Sequence, residues 1–307
     1  MRLHCNGEHL QFLSINLIHF RFDGLQEAQM IVRILVVTLL LFSGLSASST
    51  SGAPQDKDKK AANECSDQPF SYDHGASGQQ SWCGRCNESG ALRQAPISIS
   101  NTQESPQPAI VFNRYNEKTS LDVYAHNPYN LKIDYKSSTN PVATISIGSN
   151  TFKLLEFHFH RPSEEAIDNR RFPMVLHLVH LKNEPGCEPG KPGCVAAIAI
   201  LIREGTPSQQ TTDLLNTLFS HFPPPAGRQN VQISLEGLLP PNYVNAGYWS
   251  YGGSLTTPPC TDNITFYVLK PMLTFSAAQI AEFERRYPTP NARDIQPLDE
   301  RPIVNRR

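Results

Sequence analysis

The sequence predicts a mostly β fold, and three observations carry that expectation. Short runs rich in β-branched and aromatic residues recur between turn residues from about residue 96 onward. The chain has 25 prolines and 18 glycines but only 18% charged residues, which suits a loop-rich sheet better than a helical bundle. Only two segments carry helical periodicity. With 307 residues, 39% of them hydrophobic, no internal repeat and no second composition regime, one domain over 65–307 is expected.

The expected strands are 96–100 (PISIS), 131–135 (LKIDY), 142–147 (VATISI), 152–160 (FKLLEFHFH), 174–181 (MVLHLVHL), 195–202 (VAAIAILI) and 264–269 (ITFYVL). Helices are expected over 209–222 and 276–287. The second takes Ser276 as its N-cap and stops before Pro288.

Ahead of the domain the chain reads as processing sequence. After Met30, Arg33 precedes an apolar run from Ile34 to Phe42 and small residues around Ala47, the shape of a secretory signal over 30–47. An uncleaved anchor is the rival reading, but the run is short for a bilayer span. Residues 1–29 are an extension of unknown use or a mis-called start, and 48–64 form a polar linker expected to be disordered. The expected location is secreted or extracytoplasmic, with no stable membrane insertion once the signal is gone. A net charge of −1 gives no electrostatic case for nucleic acid. The sequence assigns no oligomeric state.

Cys5 falls in the leader. The other six cysteines, Cys65, Cys83, Cys86, Cys187, Cys194 and Cys260, form an even set, which in a secreted chain reads as a disulfide framework with many pairings open. A zinc cluster on Cys83-x-x-Cys86 is the rival, and it lacks a second close pair.

The chemistry centres on LLEFHFHRPSEE, residues 154–165. Side chains two apart on a strand share a face, so Leu155, Phe157 and Phe159 are expected on one side and Glu156, His158 and His160 on the other. On the next strand Val175, His177 and Val179 share a face, and Leu176, Leu178 and His180 share the opposite one. Antiparallel pairing would bring His177 to His158 and His160. Three neutral imidazoles with one open position is the arrangement of a catalytic zinc site. A lone His-x-His is more often a pair of satisfied core or surface histidines; the third histidine brings the two readings level.

The stretch YWSYGGSLTTPPC (248–260) shifts that balance. Taken with FHFHRPSEE (157–165), LHLVH (176–180), FSY (70–72), RQAPI (93–97) and NARDIQPL (291–298), the chain resembles the α-class carbonic anhydrases of secreted type. The resemblance runs in family order over roughly 65–303. It implies one domain around a large, twisted, mainly antiparallel sheet with a few peripheral helices. It implies Zn2+ on His158, His160 and His177, and reversible hydration of CO2 to bicarbonate and a proton by zinc-bound hydroxide. By the same resemblance Thr256 is the gatekeeping hydroxyl and Glu164 its carboxylate partner. Val179, Ala197, Leu255, Thr257, Ile264 and Phe266 correspond to the substrate pocket, with Phe266 where the family usually has tryptophan and Ala197 where it often has valine.

Tyr129 stands where fast members carry a proton-shuttling histidine. Its reference pKa of about 10 is poorly matched to that task near neutrality, and His126 is a nearby substitute. Behind the ligands, Glu156 and the backbone around Asn291 are expected to serve His158 and His160, and Tyr251 belongs to the same surroundings. The family's carboxylate for the third histidine is replaced by Val175, and that carboxylate's own partner by Glu165. Compensation of the one by the other is expected. The resemblance also pairs Cys86 with Cys260. Cys187 and Cys194 flank EPGKPG and can pair locally, which leaves Cys65 with Cys83. Asn87 and Asn263 open glycosylation sequons, and Asn263, read as lying on a buried strand, is expected to stay unmodified.

A non-catalytic family member with a binding or matrix role is the alternative. Retention of all three histidines, Thr256 and Glu164 favours the enzyme. Ester hydrolysis is a chemically allowed side activity.

Overall fold

A computed structural model describes residues 65, 70–73, 75–88, 93–127, 130–135, 143–221 and 229–307. The expected leader, signal and linker (1–64) lie outside these residues, as does Tyr129. In chain order the described residues form β1 (Ser98–Ile99), β2 (Gln103–Glu104), β3 (Ile110–Asn113), β4 (Lys118–Asn127), β5 (Asn130–Tyr135), β6 (Thr144–Ile147), β7 (Asn150–His160), β8 (Ala166–Ile167), β9 (Arg170–Arg171), β10 (Met174–Lys182) and β11 (Val195–Glu204). They continue with α1 (Gln209–Ser220), β12 (Gln229–Ser234), β13 (Tyr248–Ser254), β14 (Asp262–Leu269), β15 (Leu273–Phe275), α2 (Ala277–Arg286) and β16 (Val304–Arg306).

The main sheet runs β12-β4-β5-β7-β10-β11-β14-β13-β16-β2, with β3, β6 and β15 attached at its flanks. Its ladders are antiparallel except at β11–β14, β11–β15 and β16–β2. The fold is therefore mostly strand in one large, mainly antiparallel sheet. Residues Val195 to Ile202 of β11 are all buried, as an inner strand paired on both sides and covered on both faces requires. Ala196, Ile198, Ile200 and Ile202 face a large core with Phe157, Phe159, Leu176, Leu178 and the helices' Leu218 and Phe283. Val195, Ala197, Ala199 and Leu201 face a smaller core with Val175, Tyr251 and Phe266.

The helices close the large core. Helix α2 starts with a capping box: Ser276 Oγ accepts from Gln279 N at 3.2 Å, and Ser276 N donates to Gln279 Oε1 at 2.9 Å. Helix α1 ends at Ser220, short of the expected 222, and is capped at its start by Ser208.

Two expectations are corrected. Leu155 does not share a face with Phe157 and Phe159. Val179 pairs with Glu156 but His180 pairs with Leu154, so Leu155 is the extra residue of a bulge. The bulge resets the alternation: Phe152 and Leu154 point inward, and Leu155 is exposed. Asn263 is not buried. It sits outside the β13–β14 register with φ of 67°, exposed, and its amide donates to the Gly190 carbonyl at 2.8 Å.

Three disulfides join Cys65 to Cys83, Cys86 to Cys260 and Cys187 to Cys194. Bonds of this kind persist in oxidising compartments. Among the described residues no helix is long and apolar enough to cross a membrane.

Candidate metal centre

The antiparallel β7–β10 ladder sets His177 directly opposite His158. Alternation then brings His160 to the same face. The three rings pack edge to face or tilted, with centroids 4.8 to 5.3 Å apart. One ring nitrogen from each histidine lies within 4.8 Å of the other two.

The outward nitrogens are all engaged. His158 Nδ1 donates to Glu156 Oε2 at 2.9 Å, and His160 Nδ1 to the Asn291 carbonyl at 2.6 Å. His177 Nε2 lies 3.2 Å from both oxygens of Glu165. Carbonyl and carboxylate oxygens only accept, so each of these nitrogens carries the proton. The inward atoms, Nε2 of His158, Nε2 of His160 and Nδ1 of His177, are left with lone pairs. His160 Nε2 is fully buried and has no hydrogen-bond partner. An orphaned buried acceptor facing two more imidazole lone pairs fits a metal ion, and three imidazoles without a thiolate or carboxylate in the group suit zinc with an open position. These residues would hold the ion through those three nitrogens.

Glu164 and Glu165 are adjacent in sequence, and both are buried without exposed surface. They serve different neighbours. Glu164 Oε1 accepts from the Arg293 backbone N–H at 2.9 Å. Its Oε2 has no hydrogen-bond partner and lies 3.4 Å from His160 Nε2 and 3.9 Å from His177 Nδ1. Burial pushes the Glu164 carboxyl up to about 7, opposed by His177, the Arg293 N–H and the nearby Thr256 hydroxyl. Burial also pushes Glu165 up, but the charge and hydrogen bond of His177 outweigh it and hold that carboxyl below the ordinary range. His177 is raised correspondingly: burial lowers it, and Glu165 more than reverses this. His160 is lowered by burial first and then by its two histidine neighbours.

Thr256 is buried in the loop between β13 and β14. That loop is drawn together where Leu255 N donates to the Thr261 carbonyl at 2.9 Å and Cys260 N to the Thr257 carbonyl at 2.8 Å. The Cys86–Cys260 disulfide ties it to the N-terminal segment.

The apolar residues named from the sequence come together beside the histidines. Val179, Ala197, Phe266 and Tyr251 form one cross-strand row over β10, β11, β14 and β13. Leu255 and Ile264 belong to the same cluster, and the Phe266 ring lies 5.8 Å from the His177 ring. Thr257 is half-buried in the loop. His126 belongs to β4, and its side chain is outside the described set.

Sequence reading did not single out Arg293, Gln94 or Ser254. The Arg293 guanidinium donates to Gln94 Oε1, the Ala95 carbonyl and the Cys86 carbonyl, and Ser254 Oγ donates to Gln94 Oε1. The visible signal was an arginine inside the NARDIQPL motif, a residue type rarely buried unless fully partnered.

The model of the eukaryotic-type carbonic anhydrases matches residues 77–307. A carbonic anhydrase of Klebsiella pneumoniae is 32% identical over 216 residues, covering 69% of this chain and 80% of that protein. One of Neisseria gonorrhoeae is 32% identical over 213 residues, covering 69% and 76%. Among solved structures, the Photobacterium profundum alpha-carbonic anhydrase has a TM-score of 0.63 at 27% identity, covering 77% of this chain and 100% of that one. Carbonic anhydrase Cah3 from Chlamydomonas reinhardtii, solved with acetazolamide, has a TM-score of 0.60 at 27% identity, covering 78% and 99%. With the convergent histidines on one sheet face and a family match running to the last residue, this chain belongs to the eukaryotic-type carbonic anhydrase family.

Proposed function

We propose that the protein reversibly hydrates CO2 to bicarbonate and a proton, with zinc held by His158, His160 and His177. The observation that carries this reading is the convergence of three inward lone pairs, each fixed by a hydrogen bond on the far side of its ring. Zinc, when bound, makes hydroxide available near neutral pH by lowering the pKa of water to about 7.

The chain's own residues supply orientation and exclusion. Glu164, held by the Arg293 N–H, is the acceptor for the Thr256 hydroxyl proton. With its proton committed there, the Thr256 oxygen can only accept, so it selects a nucleophile that still carries a hydrogen and aims that nucleophile's lone pair at the substrate. CO2 has no net dipole, and the Val179–Ala197–Phe266 row with Leu255 and Ile264 gives it an apolar wall from which water is displaced at little cost. Thr257, next to Thr256 in that loop, is assigned to the substrate pocket by the family resemblance alone. By the family resemblance Tyr129 stands in for the proton-exporting histidine, and its high ordinary pKa makes that step slow. A secretory destination fits the three disulfides.

Metal analysis of purified protein together with stopped-flow CO2 hydration tests the reading. About one zinc per chain, and turnover abolished by a sulfonamide such as acetazolamide, is the expected result. Protein that binds zinc yet leaves hydration at the buffer rate would favour a binding role instead.

A further inference from the structure

His177 is oriented from outside its own strand. Its same-face neighbours on β10 are Val175 and Val179, and neither can accept the Nε2 proton. The acceptor is Glu165, fully buried, with both oxygens 3.2 Å away. Glu165 comes from the turn between β7 and β8. Ser163 Oγ donates to the Glu165 carbonyl at 2.7 Å and accepts from Phe172 N at 2.9 Å, so the backbone there is pinned to the approach of β10.

The carboxylate is held from a second direction. Tyr251 of β13 donates its hydroxyl proton to Glu165 Oε1 at 3.4 Å. Its ring stacks on Phe266 with centroids 5.0 Å apart and planes 4° from parallel. Phe266 in turn meets the His177 ring nearly edge-on. Three side chains from three segments thus close a circuit with the His177 imidazole. The circuit depends on Gly253: a Cβ there would come within 3.2 Å of the Phe266 ring and 3.0 Å of the Ala95 methyl.

We propose that Glu165 and Tyr251 act as a positioning pair for His177, so that the protein's hold on its metal depends on a contact between β13 and the Ser163–Glu165 turn rather than on β10. The carboxylate selects the tautomer that leaves Nδ1 bare, and the tyrosine fixes where the carboxylate stands. Neither residue touches substrate. The inference rests on the zinc reading above, so the deciding measurement is metal retention, not turnover.

The test is competition of the full-length protein with a zinc chelator, alongside imidazole 15N spectra of the zinc-stripped protein, which report the His177 tautomer directly. Wild type is expected to hold zinc tightly and to show a protonated Nε2 in the stripped form. Glu165→Gln should weaken zinc binding about 10- to 100-fold and mix the tautomers. Tyr251→Phe keeps the stack on Phe266 and removes only the hydroxyl; a several-fold loss is expected. Because position 175 shares the His177 face, the double variant Glu165→Gln/Val175→Glu should recover most of the lost affinity. Wild-type affinity and an unchanged tautomer in both Glu165→Gln and Tyr251→Phe would overturn the proposal. If Glu165→Gln does not fold, Tyr251→Phe alone decides it. Absence of zinc binding in wild type would instead overturn the metal reading itself.

Discussion

Arg293 joins Glu164 to the rest of the site through two separate groups. Its backbone N–H donates to Glu164 Oε1 at 2.9 Å, while its guanidinium donates to the Cys86 carbonyl, also at 2.9 Å. Cys86 is bonded to Cys260, and Cys260 closes the turn that carries Thr256 and Thr257. Carboxylate, arginine, disulfide and hydroxyl loop are therefore links of one circuit. Burial lowers the guanidinium pKa to about 10, with Glu164 opposing that shift, so Arg293 stays charged at neutral pH.

Breaking the covalent link is predicted to affect both stability and activity. The Cys86–Cys260 bond closes 174 residues of chain. The chain-entropy estimate for such a loop is about 5 kcal/mol, an upper figure because real disulfides often deliver less. The variant Cys86→Ser/Cys260→Ser should lower the urea midpoint accordingly, and kcat/KM should fall before unfolding begins. Equal midpoints for oxidised and variant protein would refute this.

Thr256→Ala should lower kcat/KM by about 100-fold, the size of effect expected when a reacting group is misplaced by about an ångström. Zinc content should not change, since Thr256 is not among the converging nitrogens. A parallel loss of metal would mean that the hydroxyl supports the site rather than the reaction.

Tyr129→His should raise turnover in dilute buffer, because an imidazole with a pKa of about 6.5 exchanges protons near neutrality and a phenol does not. High concentrations of imidazole buffer should erase the difference between the two proteins. Identical buffer dependence would remove Tyr129 from the proton path.

His180 supplies a pH dependence unconnected with the reaction. It is fully buried, accepts from the Tyr115 hydroxyl through Nε2 at 2.7 Å and donates to the Leu178 carbonyl through Nδ1 at 3.0 Å. Burial lowers its pKa to about 3. Above about pH 6.5 the folded and unfolded chains both carry it neutral. Between there and about pH 3 only the unfolded chain takes the proton, so this contribution to stability shrinks as pH falls through that window. From pH 7 to pH 5 the loss should be roughly 2 kcal/mol, read as the difference in urea stability between wild type and His180→Gln. An identical slope in the two proteins would contradict it.

The histidine face was legible because alternation is local: two residues apart on a strand means one side of the sheet, whatever the partner. The β7–β10 pairing followed because only the short β8–β9 ribbon separates those strands in sequence. Helix α2 was legible from Ser276 and Pro288 alone. Other features were not. Strand β13 hides in YWSYGGS, because its two glycines lower strand propensity, while Gly253 alone makes room for Phe266 and Ala95. The bulge at Leu155 inverts the expected inward residue, and nothing in an apolar run marks where a partner strand skips a position. The role of Arg293 was invisible because its partners lie about 200 residues away at Cys86, Gln94 and Ala95. A contact of Glu165 with His177 was expected from the sequence, but the Tyr251 contact with Glu165 was not, since it joins positions 86 apart.

Strand β11 has no side chain turned to solvent between Val195 and Ile202. Ala199 stands in register with His177, and Ala197 with Val179, so small methyl groups stand beside both the histidine and the apolar row. Ile198 and Ile200, on the same few ångströms of backbone, are embedded in the helix-side interior. Any change in that strand's bulk is felt on both of its sides. A lineage adapting this protein to heat or cold by repacking the helix side would therefore retune the reaction centre with the same substitutions.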